Sequence, residues 1–175
     1  MRIDLTDIMD HSGAKRNYEV PLEMNVYHMS DGDYPIKDST PISVEIENRG
    51  DKKLSIKIQC DLIIDIPCAR CLDEVGTGFE IRRELEADMK LTGEELENML
   101  DEAGCIEGKE LDLEVLVYNE ILSRWPLRVL CSEDCKGLCP QCGANLNRTS
   151  CNCDTGPRDP RMAAISDIFS KFKEV

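Results

Sequence analysis

Between Leu54 and Ile66 the chain alternates. Leu54, Ile56, Ile58, Cys60, Leu62, Ile64 and Ile66 are apolar, with Ser55, Lys57, Gln59, Asp61, Ile63 and Asp65 between them. A period of two held over 13 residues predicts a long strand with one face buried. Cys60 falls on the inward face, where a thiol acts as a small buried hydrophobe. The same alternation marks Tyr18, Val20, Leu22, Met24 and Val26, then Ile42, Val44 and Ile46. It returns at Phe79, Ile81, Leu85, Ala87 and Met89, with Arg83 out of pattern. Asn48-Arg49-Gly50-Asp51 predicts a hairpin turn between two of these strands, Gly supplying a positive φ. Short connections between alternating strands predict an antiparallel sheet with one covered face.

Three helices are expected to provide that cover. Thr92-Gly93-Glu94-Glu95 reads as a capping box, followed by Leu96, Met99, Leu100 and Ala103 at helical spacing and Gly104 as the stop. A second helix starts near Asp112, sets Leu113, Leu116, Val117 and Ile121 on one face, and ends at Trp125-Pro126. A third opens at Asp159-Pro160, an N-cap followed by proline, and runs to about Lys173. The fold class expected is therefore α+β: an antiparallel, partly barrel-like sheet covered by helices, with a cysteine-rich C-terminal segment. The expected divisions are 1–130 for sheet and helices, 131–158 for the cysteine-rich segment and 159–175 for the last helix.

Charge divides the chain differently. The net is −14 over 175 residues, and residues 61–130 alone carry 18 acidic against 7 basic side chains. Residues 1–60 carry 11 against 8, and residues 131–175 carry 6 of each. An acidic middle suits a basic protein partner and repels a phosphate backbone, whereas the neutral tail tolerates RNA better. Within the middle, Glu80, Glu84, Glu86 and Asp88 share the outward parity of one strand, a candidate stripe for such a partner. No apolar stretch is long enough to span a membrane, and Met1–Asp7 lacks the apolar region of a secretory signal, so the cytoplasm is the expected location.

In that compartment thiols stay reduced, which turns eight of the ten cysteines into candidate metal ligands. Cys139-Pro140-Gln141-Cys142-Gly143 is a knuckle, and with Cys151 and Cys153 it offers four thiolates around one short loop. Zinc takes four such ligands at about 2.3 Å in a closed tetrahedron. Cys68-Ala69-Arg70-Cys71 is a second CxxC, and Cys131 and Cys135 also lack local partners. The economical grouping joins these four into a second site that pins the tail to the sheet; the other reading leaves them as buried thiols. The segment has no apolar periodicity, so one or two zinc ions are expected to order it. Cys135, Cys139 and Cys142 also spell the radical-SAM spacing, but that chemistry needs a large barrel after the motif and only 33 residues follow. All-cysteine sites leave no open position for catalysis. His11 and His28 lie far from the cysteines in sequence and are expected at the surface. No phosphate-binding glycine loop or acid pair stands out.

Pro67-Cys68-Ala69-Arg70-Cys71-Leu72, Cys131 to Cys135, Lys136-Gly137-Leu138-Cys139-Pro140-Gln141-Cys142-Gly143 with Asn145-Leu146-Asn147, Cys151-x-Cys153 and Asp159-Pro160-Arg161 together resemble the YceD family, the large ribosomal RNA subunit accumulation proteins. The resemblance covers nearly the whole chain. It implies a bacterial or plastid protein, cytosolic or stromal, that supports accumulation of large-subunit (23S) rRNA and hence ribosome assembly. The expectation is thus a non-enzymatic biogenesis factor that binds a basic ribosomal protein or a pre-ribosomal particle. Two alternatives stand beside it: a zinc module contacting rRNA through the C-terminal segment, and a metal-dependent rRNA-processing enzyme. The second lacks a catalytic constellation in the sequence.

Overall fold

The structure, a computed structural model, describes residues 1–90 and 105–153. It divides into two compact units: Met1–Ile66 with Glu74–Val129, and Pro67–Asp73 with the chain from Leu130 onward. The elements in chain order are β1 (Arg2–Asp4), α1 (Thr6–Met9), β2 (Lys15–Val20), β3 (Val26–Met29), β4 (Gly32–Ser39), β5 (Ile42–Gly50), β6 (Lys53–Pro67), β7 (Glu74–Asp88), β8 (Ile106–Glu107), β9 (Glu110–Asp112) and α2 (Leu113–Ser123).

In the first unit, β6 is the central strand of an antiparallel sheet ordered β2-β5-β6-β4-β3, with β7 also on β6. Its first half pairs with β5, from Gly50↔Lys53 to Ser43↔Gln59, and its second half with β4, from Ser39↔Leu62 to Ile36↔Ile64. Thr40 bridges the two stretches: its amide donates to Asp61 O at 2.8 Å, and its hydroxyl accepts from the Asp61 amide at 2.9 Å. The inward set of β6 is buried throughout, with Ile56 and Ile64 fully enclosed. The sheet curls into a half-barrel, and its buried apolar side chains join Leu113, Leu116, Val117 and Ile121 in one core cluster. Burial of each such side chain stabilises by about 1.5–3 kcal/mol.

The described residues are mostly sheet and do not support the expectation of helices covering it. Among the described residues there are two helices, α1 of four residues and α2 of eleven. The helix expected from Thr92 and the one expected from Asp159 lie outside the described residues. α2 does bury Leu113, Leu116, Val117 and Ile121, and Asp112 caps it by accepting from the amides of Glu114 and Val115. It also reaches the sheet edges. Tyr118 Oη donates to His28 O of β3 at 2.9 Å, and Arg124, just past the helix, donates to the carbonyls of Glu80 and Arg82 of β7. Arg83, out of pattern on the inward parity of β7, meets Glu120 of α2 at 3.5 Å. Trp125 stacks on Tyr27 and Phe79, with ring centroids 5.2 and 5.8 Å away.

Two turns differ from expectation. The hairpin after β5 turns on Asp51-Lys52, both with positive φ (53° and 60°), as a two-residue loop between right-twisted strands requires. Asn48 belongs to the strand instead. Its buried amide donates to Ile8 O and Met9 O, and its Oδ1 accepts from the Gly50 amide, tying α1 to the sheet. The run from Tyr18 to Val26 is not one strand: β2 ends at Val20, and the chain from Pro21 to Asn25 is outside any strand.

Candidate metal centres

The second unit brings eight cysteines into two groups of four. Cys68, Cys71, Cys131 and Cys135 have their sulfurs within 4.8 Å of one another, and so do Cys139, Cys142, Cys151 and Cys153. In the first group Cys68 Sγ lies 3.8 Å from Cys135 Sγ, and Cys71 Sγ 3.5 Å from Cys131 Sγ. A disulfide needs about 2.05 Å. A tetrahedron of sulfurs with 2.3 Å bonds to a central zinc has edges of about 3.8 Å. The donor set and its spacing therefore fit a four-thiolate zinc site. His11 and His28 lie outside both groups; His28 Nδ1 is 2.7 Å from Asp33 on the neighbouring strand.

The two knuckles have the same local construction. The amide of the residue after the second cysteine donates back to the carbonyl of the first: Leu72 to Cys68 at 3.0 Å, and Gly143 to Cys139 at 2.9 Å. Both of those residues have positive φ, 62° and 72°. In Gly143 that conformation is unstrained; Leu72 holds it as an exposed leucine, an uncommon state for a bulky side chain.

The turns also aim backbone amides at the first sulfur. Burial pushes Cys68 up, but hydrogen bonds from the backbone of Arg70 and Cys71 outweigh it and bring the thiol to about 6. Backbone bonds from Cys142 and Gln141 bring Cys139 to about 6 in the same way. Cys153 is pushed up to about 12, foremost by its bond to Cys142. Four crowded thiols cannot all ionise without a cation, and in the first group Cys68 and Cys135 are held below their ordinary value while Cys71 and Cys131 are held above it. A bound zinc ion would displace the remaining protons.

Around the first group runs a polar shell. Arg70 Nη1 donates to Cys135 O at 2.7 Å, and Leu138 N to Arg70 O at 3.1 Å. A Cβ on Gly137 would meet Arg70 O at 3.0 Å, and its φ of +77° independently favours glycine. Asn147 Nδ2 donates to Cys135 Sγ at 3.3 Å, and this is the foremost cause holding that thiol below its ordinary value. Asp73 accepts from Asn145 at 3.1 Å and from Arg148 at 2.9 Å. In the sequence, Asn145 and Asn147 stand out only as part of the family-like stretch, and nothing singles out Asp73.

In the first unit, Glu80, Glu84 and Glu86 are exposed and Asp88 is half-buried on the outward face of β7. The stripe is interrupted by Arg82, which pairs with Asp61 at 2.8 Å. Glu84 stands 3.3 Å from Lys57 and 3.7 Å from Arg49, and Glu86 3.2 Å from Arg49. Much of its charge is met within the sheet.

A family model described as large ribosomal RNA subunit accumulation protein YceD matches residues 56–169. The chain belongs to the YceD family. The match includes all eight clustered cysteines. A relative from Arabidopsis thaliana, named large ribosomal RNA subunit accumulation protein YCED homolog 1, chloroplastic, is 24% identical over 81% of this chain and 52% of its own length. An uncharacterized protein of Mycobacterium tuberculosis is 37% identical over 58% of this chain and 49% of its own. The chain thus spans about half the length of these relatives. No solved structure matches.

Proposed function

We propose that this YceD-family chain is a non-enzymatic ribosome biogenesis factor. It supports accumulation of large-subunit rRNA by holding a basic ribosomal protein or a pre-ribosomal particle. The family match over residues 56–169 carries the reading. Cys68, Cys71, Cys131 and Cys135 would hold one zinc, and Cys139, Cys142, Cys151 and Cys153 a second. Bound zinc supplies a cross-link between distant chain segments, and four thiolates leave no position for water or substrate, which supports a binding role. Depletion of the protein is expected to lower large-subunit rRNA relative to small-subunit rRNA. Tagged protein is expected to co-purify with large-subunit components, identified by mass spectrometry and RNA sequencing. An unchanged rRNA ratio on depletion, with no ribosomal material recovered, overturns the proposal.

A second reading places contact with rRNA in the cysteine-rich unit. It is favoured by the pairing of Glu84 and Glu86 with Arg49 and Lys57, which reduces the free charge of the acidic face, and by the balanced charge of residues 131–175. Crosslinks from rRNA to residues 131–153 support this reading, and crosslinks from a ribosomal protein to β7 support the first.

A further inference from the structure

Asn147 sits in the loop of one cysteine cluster and touches the other. It lies between Cys142 and Cys151, yet its Nδ2 donates to Cys135 Sγ at 3.3 Å. Its Oδ1 accepts from the Lys136 amide at 2.7 Å, so both ends of one side-chain amide are committed to Cys135-Lys136. Asn145, two residues earlier, accepts from the Asn147 amide at 3.0 Å and donates to Asp73, two residues past Cys71, at 3.1 Å. The loop is fixed in turn by its own knuckle. Cys139 N donates to Ala144 O at 2.8 Å, and Leu146 N to Gly137 O at 2.9 Å. The position of the Asn147 amide is therefore set by the loop that Cys139, Cys142, Cys151 and Cys153 close. Hydrogen bonds to a ligating atom fix its orientation and tune its donor strength, and their loss typically costs about 10–100-fold in metal affinity.

We infer that Asn147 is a positioning residue that couples the two clusters, so that zinc at Cys139, Cys142, Cys151 and Cys153 tightens zinc at Cys68, Cys71, Cys131 and Cys135. The inference rests on the reading of both clusters as zinc sites. Coupling between two sites is reciprocal, so the second site tightens the first by the same factor.

Zinc alone is the probe, with the full chain. Elemental analysis gives the stoichiometry, and competition with a chromophoric chelator gives the affinities. Cys142→Ser cripples one site and reports the other; Cys71→Ser does the reverse. In the wild-type background each substitution is expected to weaken the remaining site, both by the same factor, on the order of tenfold. Asn147→Asp keeps the oxygen that accepts from Lys136 and replaces the donor with an oxygen that repels a thiolate. It is expected to weaken the Cys68 site by about 10–100-fold and to abolish the mutual effect of Cys142→Ser and Cys71→Ser. A purely structural role in the turn is preserved in this variant and predicts no change. Wild-type protein holding fewer than two zinc ions overturns the zinc reading itself. Two ions that bind independently in the wild type, or remain coupled in Asn147→Asp, overturn the inference and leave the zinc reading standing.

Discussion

Two cysteines eight residues apart show how differently the two units are held. Cys60 lies in the sheet, 1% exposed, and burial foremost pushes its thiol up to about 11. Cys68 is fully buried too, yet amides of its own knuckle bring it to about 6. One thiol belongs to the apolar core cluster of the sheet, where burial disfavours its charged form; the other is surrounded by donors and sulfurs that favour it. The first unit is ordered by excluding water from apolar strands. Among its described residues the second has few apolar side chains to exclude, and its order is expected to depend on what its thiolates bind.

The largest effect expected follows from that contrast. Structural zinc contributes roughly 10–16 kcal/mol of apparent binding energy at neutral pH in small peptides, so chelation is expected to unfold the cysteine-rich unit and leave the sheet intact. Alkylation read by mass spectrometry counts the result. With chelator, the eight cluster cysteines are expected to react, while Cys60 and Cys105 wait for denaturant. All ten reacting together would show that the sheet depends on the metal.

The converse disruption is Ile64→Ala, at a fully buried position of β6. Truncation there is expected to cost about 2–5 kcal/mol through lost transfer energy and a cavity. Trp125 is the chain's one tryptophan and lies in the first unit, so its fluorescence follows that unit's unfolding in denaturant. Zinc per folded chain is expected to stay at the wild-type value. A fall in zinc in step with the loss of stability would make the two units one cooperative block.

This division also explains what could be read from sequence. β6 was legible because every inward residue from Leu54 to Ile66 is apolar and only Ile63 breaks the polar outward set. β4 was not: Gly32-Asp33-Tyr34-Pro35-Ile36-Lys37-Asp38-Ser39 has charges and a proline where alternation should be, and its order comes from pairing with β3 and β6. Pro21 ends β2 because it brings no amide to a ladder, a signal overridden by the run of apolar residues from Tyr18 to Val26. Among the cysteines, spacing alone suggests the local group of Cys139, Cys142, Cys151 and Cys153. The grouping of Cys68 and Cys71 with cysteines 60 to 67 positions away needs the fold. Nothing in an Asn-Leu-Asn stretch indicates that one amide reaches Cys135.

Two glycines of the cysteine-rich unit sharpen the account of its backbone. Gly143→Ala meets nothing within 4 Å, so its cost is that of holding alanine at positive φ, about 1–2 kcal/mol. Gly137→Ala carries the same conformational cost and adds a contact of 3.0 Å with the Arg70 carbonyl, which is backbone and cannot swing away. It is expected to lose zinc to a chelator faster than Gly143→Ala, the difference measuring how closely the Cys68 knuckle and the following turn must approach. Equal rates would show that the approach is dispensable.

The smallest effect is expected at the surface of the sheet, where charge rather than core or metal is altered. Reversing Glu84 and Glu86 to Lys leaves Arg49 and Lys57 facing new cations, having lost partners at 3.2–3.7 Å. Exposed pairs of this kind contribute about 0–1 kcal/mol each, so the shift in the Trp125 unfolding midpoint is expected to be small. Zinc content is expected to be untouched. Rim charges act chiefly on association rate and its salt dependence. If the acidic face receives a basic ribosomal protein, the double reversal slows association and flattens the salt response while equilibrium stability barely moves. A wild-type salt response in the reversed protein would mean that Glu84 and Glu86 serve Arg49 and Lys57 alone, and would move the search for the contact to the cysteine-rich unit.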